Sequence, residues 1–139
     1  MNVKKNNLRW KQRLENLKKA HFRLSEACAQ ESYNVLEVAG LIQTFEFTFE
    51  LTWKTLKDLL ELEGYDATSP RSAIRIALEA KHISASQCET LLEALGKRNL
   101  LTHTYDEDNV IEAQELILKE FEPVLTAIVT YLSEKNNNE

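Results

Sequence analysis

Apolar residues recur along this 139-residue chain at alternating steps of three and four, the spacing of one face of an α-helix. An early group of this kind is Leu14, Leu17, His21, Leu24 and Cys28. A longer group ends just before Gly64, a residue suited to the left-handed turn after a helix. Its members are Val35, Val38, Ile42, Phe45, Phe49, Trp53, Leu56 and Leu60. This second helix should span about 28 residues, or roughly 42 Å, which is typical of an up-and-down bundle.

Capping residues mark two helices after this long one. Ser69 can cap a short helix that has Pro70 in its first position and ends near Lys81. Ser84, with Gln87 three residues later, has the pattern of a capping box. The helix that begins there is expected to continue through residues 98–105.

The last helix is expected to begin after Asp106 or Asp108 and to contain Pro123, which should bend it or leave one carbonyl unpaired. The polar residues 136–139 are expected to form a disordered tail. The sequence therefore predicts an all-α fold in a single domain, residues 1–139. The domain should be an up-and-down bundle of four long helices plus one short helix.

Composition limits where in the cell the protein is expected to act. No run of about 18 apolar residues exists, so no membrane span is expected, and the basic N-terminus lacks the apolar stretch of a secretory signal. Cys28 and Cys88 are two isolated thiols without metal-ligand spacing. They are expected to be reduced core residues of a cytoplasmic protein.

Charge is distributed unevenly along the chain. Residues 1–23 carry eight Lys or Arg residues and one acidic residue, Glu15, which leaves the other 116 residues at −12 when the total is −5. A basic N-terminal segment on an otherwise acidic chain can bind phosphate groups or an acidic partner. The alternative is a solvated helix face.

The inward face of the fourth helix turns from apolar to polar at Arg98. One line on this face is Cys88, Leu91, Leu95, Arg98, Thr102 and Tyr105, and a second is Leu92, Leu95, Asn99, His103 and Asp106. Burying an unpaired Arg would cost several kcal/mol. Arg98 therefore needs a carboxylate partner such as Glu46 or Glu50, exposure at the end of the bundle, or a functional cleft.

The polar residues are suited to phosphate chemistry. His103 can transfer protons near neutral pH, and Arg98 can make forked contacts with a phosphate. Asn99 can orient the ring of His103 or bind substrate, and Tyr105 lies on the same side of the helix as Arg98. On a straight helix Arg98 and His103 point about 140° apart, so a shared site requires a bent helix or a second subunit.

The spacing Arg98-x4-His103 resembles the signature of HEPN domains. The longer pattern Arg98-Asn99-x3-His103-x-Tyr105-Asp106 is similar to the HepT-like, nucleotidyltransferase substrate-binding branch of that family. The aromatic segment 45–54 and Pro70-Arg71 also resemble this branch, and the similarity covers nearly the whole chain.

This resemblance implies a homodimer whose motif helices share a cleft, beside a separate minimal nucleotidyltransferase. It implies a metal-independent ribonuclease toxin with no cofactor, in which His103 is the general acid/base, Arg98 stabilises the phosphate and Asn99 orients. Thr102 and Asp106 would help bind substrate. Tyr105 would receive AMP from the nucleotidyltransferase, and this modification would neutralise the toxin.

The same family also implies a different class of function. In that alternative the chain is a non-catalytic subunit that binds a nucleotide or substrate for its nucleotidyltransferase. The acidic remainder of the chain favours this alternative, because the RNA-binding surfaces of ribonucleases usually carry more positive charge. The basic first helix favours the ribonuclease function instead. An inert scaffold is a third reading.

Overall fold

Six α-helices and one π-helical turn make up most of the computed structural model, which describes residues 3–97, 101 and 106–138. The first four helices are α1 (Val3–Cys28), α2 (Val35–Leu62), α3 (Pro70–Glu79) and α4 (Ala85–Gly96). They are followed by α5 (Glu107–Leu116), the π turn (Ile117–Phe121) and α6 (Glu122–Asn137), which form one continuous helix. The all-α helical bundle is confirmed, and the described residues contain no strand.

Local hydrogen bonding starts the helices where the sequence predicts. Ser69 caps α3 with Pro70 in its first turn, and Ser84 and Gln87 exchange the two hydrogen bonds of a capping box at the start of α4. The carboxylate of Asp106 caps α5. These caps satisfy backbone N–H groups that a helix leaves unpaired at its N-terminus.

Two helix ends are followed by residues in the left-handed region. Gly64, with φ of 94°, follows α2 as predicted. Lys81, with φ of 67°, follows α3, although a side chain in this conformation costs about 1–2 kcal/mol. The backbone N–H of His82 donates to the carbonyl of Ala77 and closes this turn.

The ends of two helices can be compared with the predicted ones. The described α4 ends at Gly96, with Lys97 as its C-cap, so the expected continuation through 98–105 mostly lies outside the described residues. Leu101 is helical and buried. At the other end of the chain, α6 extends to Asn137, beyond the start of the tail expected at residue 136.

The hydrophobic core runs along the centre of the bundle and takes residues from every helix. Phe45 of α2 lies at its middle, with its ring 5.3 Å from that of Phe121 and 5.9 Å from that of Phe49. Trp10, Leu14, Leu17 and Leu24 cover α2 from α1. The described residues thus share one continuous core, and a single domain over residues 1–139 stays a prediction.

Several polar side chains of α2 are buried, and each has a hydrogen-bond partner. Thr48, Thr52 and Thr55 are buried on α2, and each hydroxyl donates to a backbone carbonyl one turn earlier. The buried carboxylate of Asp58 accepts a hydrogen bond from Arg13 Nε at 2.7 Å. Burial raises the pKa of Asp58, and the Arg13 charge opposes that rise.

The π turn lies directly before Pro123. Its last hydrogen bond joins the N–H of Glu122 to the carbonyl of Ile117, five residues earlier. Proline has no N–H, and in a regular helix its ring would press on the carbonyl four residues earlier. The predicted distortion at Pro123 therefore takes the form of a widened turn.

Both cysteines are free thiols, with Cys88 buried and Cys28 half-buried. Burial raises the pKa of the Cys28 thiol to about 12, and the charge of Glu122 adds to the rise. Such a thiol is a poor nucleophile. Of the helices described, not one has both the length and the apolar character needed to cross a membrane.

We predict that His21 makes stability depend on pH. Its Nε2 lies 2.9 Å from the hydroxyl of Thr126, and burial lowers its pKa below the ordinary value of 6.5, although Glu122 opposes this. The unfolded chain therefore binds the proton more readily than the folded protein does. The free energy of unfolding should be fully retained above pH 6.5 and should fall as the pH drops through 6.5 towards the folded pKa.

Urea titrations of wild type and His21→Gln across pH 5–8 would test this prediction. The difference between the two proteins isolates His21 from the other histidines. A pH dependence that is the same in both proteins would contradict it.

Candidate functional site

The polar segment 98–106 connects α4 to α5. The structure describes two of its residues, Leu101 and Asp106. Outside the described residues lie the predicted site residues Arg98, Asn99, Thr102, His103 and Tyr105. Their proposed roles remain predictions, and the surroundings of the segment supply the structural evidence.

Both ends of the segment are held in place. Lys97 at the end of α4 pairs with Glu112 of α5, with Nζ 3.4 Å from Oε2. The backbone N–H of Leu101 donates to the carbonyl of Lys97, and the Leu101 side chain is buried in the core. One Asp106 oxygen accepts from the N–H of Asp108 at 3.0 Å. The substrate-binding role predicted for Asp106 must therefore coexist with its role as a helix cap.

The start of α5 is acidic, because Glu107 and Asp108 occupy its first turn beside Asp106. Negative side chains there interact favourably with the positive end of the helix dipole. Their charge also lies next to the segment that is predicted to bind phosphate. A phosphate ligand would therefore depend on cations elsewhere in the segment, and Arg98 is the predicted one.

Glu50, one of the two predicted internal partners of Arg98, already has neighbours on its own helix. Trp53 Nε1 donates to Glu50 Oε2 at 3.0 Å, and Lys54 Nζ lies 3.4 Å from Oε1. The Lys54 amine also lies over the Trp53 ring at 5.9 Å. These contacts of Glu50 lie within α2, and the predicted pairing with Arg98 stays a prediction because Arg98 lies outside the described residues.

A cleft of about 660 Å³ lies beside the segment, between the start of α2 and α5. It begins at Glu107, the residue directly after Asp106. The lining residues are Tyr33, Asn34, Val35, Val38, Ala39, Ile42, Glu107, Val110, Ile111 and Gln114. A capping box between Asn34 and Glu37 fixes its α2 side. We call this feature the α2–α5 cleft.

Large apolar side chains are exposed along and beside this cleft. Val35 is 86 % exposed, Leu36 82 % and Ile111 53 %. Further along α2, Phe47 is 61 % exposed. Leu36, Ala39, Gly40, Gln43 and Phe47 lie at helical spacing and are exposed on one side of α2. We call this side the exposed α2 face.

A polar cluster around the buried His82, away from the segment, was not predicted from the sequence. His82 Nε2 lies 2.5 Å from Glu63 Oε1, and His82 Nδ1 lies 2.7 Å from the Tyr131 hydroxyl. Burial raises the pKa of Tyr131, and the Glu63 carboxylate adds to the rise. The cluster joins the end of α2, the turn before α4, and α6. It lies at the opposite end of α4 from segment 98–106 and holds the bundle together.

Nothing in the sequence spacing reveals this cluster, because His82 and Tyr131 are 49 positions apart. A histidine directly after a short helix, followed by a capping serine, was the available signal. Over residues 3–97, 101 and 106–138, His, Cys, Asp and Glu form no group of three or more that could hold a metal ion.

Comparisons with known proteins agree with the all-helical fold. Residues 12–134 match the family model described as "Nucleotidyltransferase substrate binding protein like". A crystal structure of a protein from Thermus thermophilus is similar, with 30 % sequence identity and a TM-score of 0.75, covering 84 % of this chain and 98 % of the other. A search of curated proteins found no match.

Proposed function

Because the chain belongs to the family of nucleotidyltransferase substrate-binding-like proteins, we propose that it is the substrate-binding subunit of a two-component nucleotidyltransferase. The catalytic nucleotidyltransferase would be a separate chain. The observation that carries this proposal is the family match over residues 12–134, which includes the whole of segment 98–106. The α2–α5 cleft beside that segment offers room for a ligand or a partner.

In this role segment 98–106 binds a nucleotide or a phosphate-bearing group. Arg98 makes forked contacts with the phosphate, Asn99 and Thr102 donate or accept hydrogen bonds, and Asp106 fixes the start of α5. Tyr105 is the acceptor of AMP from the partner enzyme. An AMP group on Tyr105 adds bulk and negative charge beside Arg98, which blocks the segment to other phosphate ligands.

We also propose that the protein is a homodimer joined through the exposed α2 face. Leu36 and Phe47 are large apolar side chains that no part of the described chain covers, and Val35 and Ile111 extend the surface into the α2–α5 cleft. Neighbouring exposed apolar side chains of this size are typical of protein interfaces. A two-fold dimer would also place two copies of segment 98–106 on one assembly, which is one of the two ways, beside a bent helix, to bring Arg98 and His103 into one site.

Gly40 supports this interface. It lies inside α2, where glycine costs about 0.5–1 kcal/mol relative to alanine. A Cβ added to Gly40 would meet no atom within 4 Å, so packing within the described chain does not explain the glycine. Close approach of a second backbone along the exposed α2 face does explain it.

Co-purification with the neighbouring nucleotidyltransferase tests the pairing. If the adjacent reading frame encodes such an enzyme, tagged wild-type chain should retain it, and incubation with ATP should add the mass of AMP. Tyr105→Phe should keep the complex but gain no mass, because it lacks only the acceptor hydroxyl. If no nucleotidyltransferase co-purifies and none is encoded nearby, the proposed pairing is wrong.

The spacing Arg98-x4-His103 favours a second candidate, the metal-independent ribonuclease toxin. In that reaction His103 removes the proton from a ribose 2′-OH, and the resulting oxygen attacks the adjacent phosphate. Arg98 stabilises the added negative charge on the phosphate, and the 5′-oxygen leaves with a proton. AMP on Tyr105 then inactivates the toxin. This candidate uses the same segment but makes it catalytic.

Expression without the partner separates the two functions. A ribonuclease toxin should stop growth and cleave total RNA, and His103→Ala should abolish both effects, whereas Tyr105→Phe should keep them. The binding-subunit function predicts that wild type and His103→Ala are equally harmless and leave RNA intact. If wild type and His103→Ala are equally harmless and no nucleotidyltransferase binds the chain, the protein is an inert scaffold.

A further inference from the structure

The outer side of α1 carries a concentration of positive charge that lies outside segment 98–106. We call it the α1 outer surface. Its exposed charged residues are the cations Lys4, Lys5, Arg9, Lys18, Lys19 and Arg23 and the acids Glu15 and Glu26. The acidic remainder of the chain makes this surface the main positive region of the protein.

Ion pairs neutralise only part of this charge. Arg9 Nη1 lies 3.8 Å from Glu61 of α2, and Lys18 Nζ lies 3.2 Å from Glu15. Lys19 and Arg23 form no ion pair with any residue that the structure describes. Two cations near the end of α1 are thus available to an external anion.

Phe22 lies among these cations with 64 % of its surface exposed. It lines a shallow hollow of about 370 Å³ together with Glu15, Lys18, Lys19 and Arg23. Since the buried side of α1 is already filled by core residues such as Trp10 and Leu17, Phe22 is not needed for the fold. An exposed aromatic ring surrounded by cations can stack on a flat ligand that also carries negative charge.

Leu8 extends the same surface. It is 56 % exposed and lies 14 residues before Phe22, which places the two side chains on the same side of α1 about 21 Å apart. Glu15 lies midway between them on that side, and Lys19 and Arg23 lie next to Phe22. The cations and the exposed aromatic ring are therefore concentrated at the Phe22 end of the surface.

These features fit a single-stranded nucleic acid best. Phosphates occur at every nucleotide and would contact Lys19 and Arg23, while an unpaired base would stack on the Phe22 ring. In a duplex the bases are already stacked and do not reach the ring. A membrane surface would require the apolar side of α1, which is buried against α2. An acidic protein would pair with the cations but would need an apolar pocket for Phe22.

We propose that the α1 outer surface binds single-stranded nucleic acid, with a base on Phe22 and phosphates on Lys19 and Arg23. This binding goes beyond the pairing with a nucleotidyltransferase and does not depend on it. α1 packs against α2 and α6, whereas segment 98–106 lies between α4 and α5. The two surfaces can therefore be tested separately.

Fluorescence anisotropy with the purified full chain tests the proposal. The probe is a labelled 12-nucleotide single-stranded oligodeoxyuridylate, which has no 2′-OH and cannot be cleaved through one. We expect wild type to bind it at 50 mM salt, with affinity that falls as salt is raised. Phe22→Leu should raise the dissociation constant at least about fivefold, and Phe22→Tyr should restore most of the affinity because it retains the aromatic face.

Arg23→Gln is compared with Arg75→Gln as a matched control. Arg75 is exposed on α3, away from the α1 outer surface. Arg23→Gln should weaken binding and reduce the salt slope by about 0.7, and Arg75→Gln should change neither.

Several results would overturn the proposal. One is the absence of binding by wild type at 50 μM protein. Another is equal loss of affinity in Arg23→Gln and Arg75→Gln, which would indicate attraction by overall charge. Equal binding of Phe22→Leu and wild type would exclude stacking, and tighter binding of duplex than of single strand would exclude the proposed ligand. If the α1 variants alter only binding to a nucleotidyltransferase partner, the surface is a protein interface instead.

Discussion

Phe47→Glu is expected to convert the proposed dimer to a monomer. A symmetric interface contains Phe47 from both protomers, so one substitution removes two aromatic contacts. Burying each side chain contributes about 2 kcal/mol, and the two together change the dissociation constant roughly a thousandfold. The two added carboxylates would also lose water on association, which increases the effect.

Sedimentation velocity over a range of protein concentrations measures this change. Phe22→Glu is the matched control, because Phe22 is exposed to nearly the same extent, 64 % against 61 % for Phe47, but lies on α1. It should leave the dimer intact. A monomeric wild type, or equal dissociation by both substitutions, would show that the exposed α2 face is not the interface.

Phe45→Ala is expected to cause the largest loss of stability. The Phe45 side chain is 1 % exposed and contacts the rings of Phe49 and Phe121 at the centre of the core. Replacing a buried Phe by Ala costs about 3–5 kcal/mol through lost transfer free energy and the cavity that remains. Domains of ordinary stability have about 5–15 kcal/mol in total, so the midpoint of thermal unfolding should fall by roughly 10–20 °C.

Thermal and urea unfolding followed by circular dichroism would measure this loss at one protein concentration, since dimer formation makes stability depend on concentration. Phe22→Ala is the control, because the exposed ring of Phe22 makes no core contact. Its effect should stay within about 0.5 kcal/mol. Similar losses in both variants would contradict the assignment of Phe45 to the centre of the core.

The helix starts could be predicted because they depend on residues close together in the sequence. Ser69 with Pro70 and Ser84 with Gln87 act within one turn of helix, so their spacing contains the whole interaction. The core side of α2 was predictable for a related reason, since helical periodicity alone identifies the face that contains Phe45. Both predictions needed no knowledge of which helices touch.

Contacts between distant parts of the chain could not be predicted in this way. The hydrogen bonds of His82 with Glu63 and Tyr131 join three helical regions, and their formation depends on how the bundle closes. The α2–α5 cleft also depends on which helices become neighbours. For the candidate site, the sequence identified the residue types suited to phosphate chemistry. It left open whether Arg98 and His103 act in one chain or across two.

A distortion at Pro123 was predicted but its form as a π turn was not, although the sequence contained a signal for it. Ala113, Ile117, Phe121 and Leu125 are all buried and follow one another at three consecutive steps of four. In a regular helix each step of four advances about 40° around the axis, so such a run would turn away from the core. A widened turn with hydrogen bonds to the fifth residue compensates for this drift.

The π turn also makes a prediction about chain length among relatives. It contains one residue more than a regular turn, so a relative that lacks one residue within 117–121 can keep α5 and α6 facing the core as they do here. Such a relative should also lack the proline at position 123, whose ring fits poorly into a regular turn. The middle of α2 has no extra residue of this kind, so a one-residue deletion there would rotate the following residues by about 100°. Differences in helix length should therefore be tolerated at the π turn and avoided in α2.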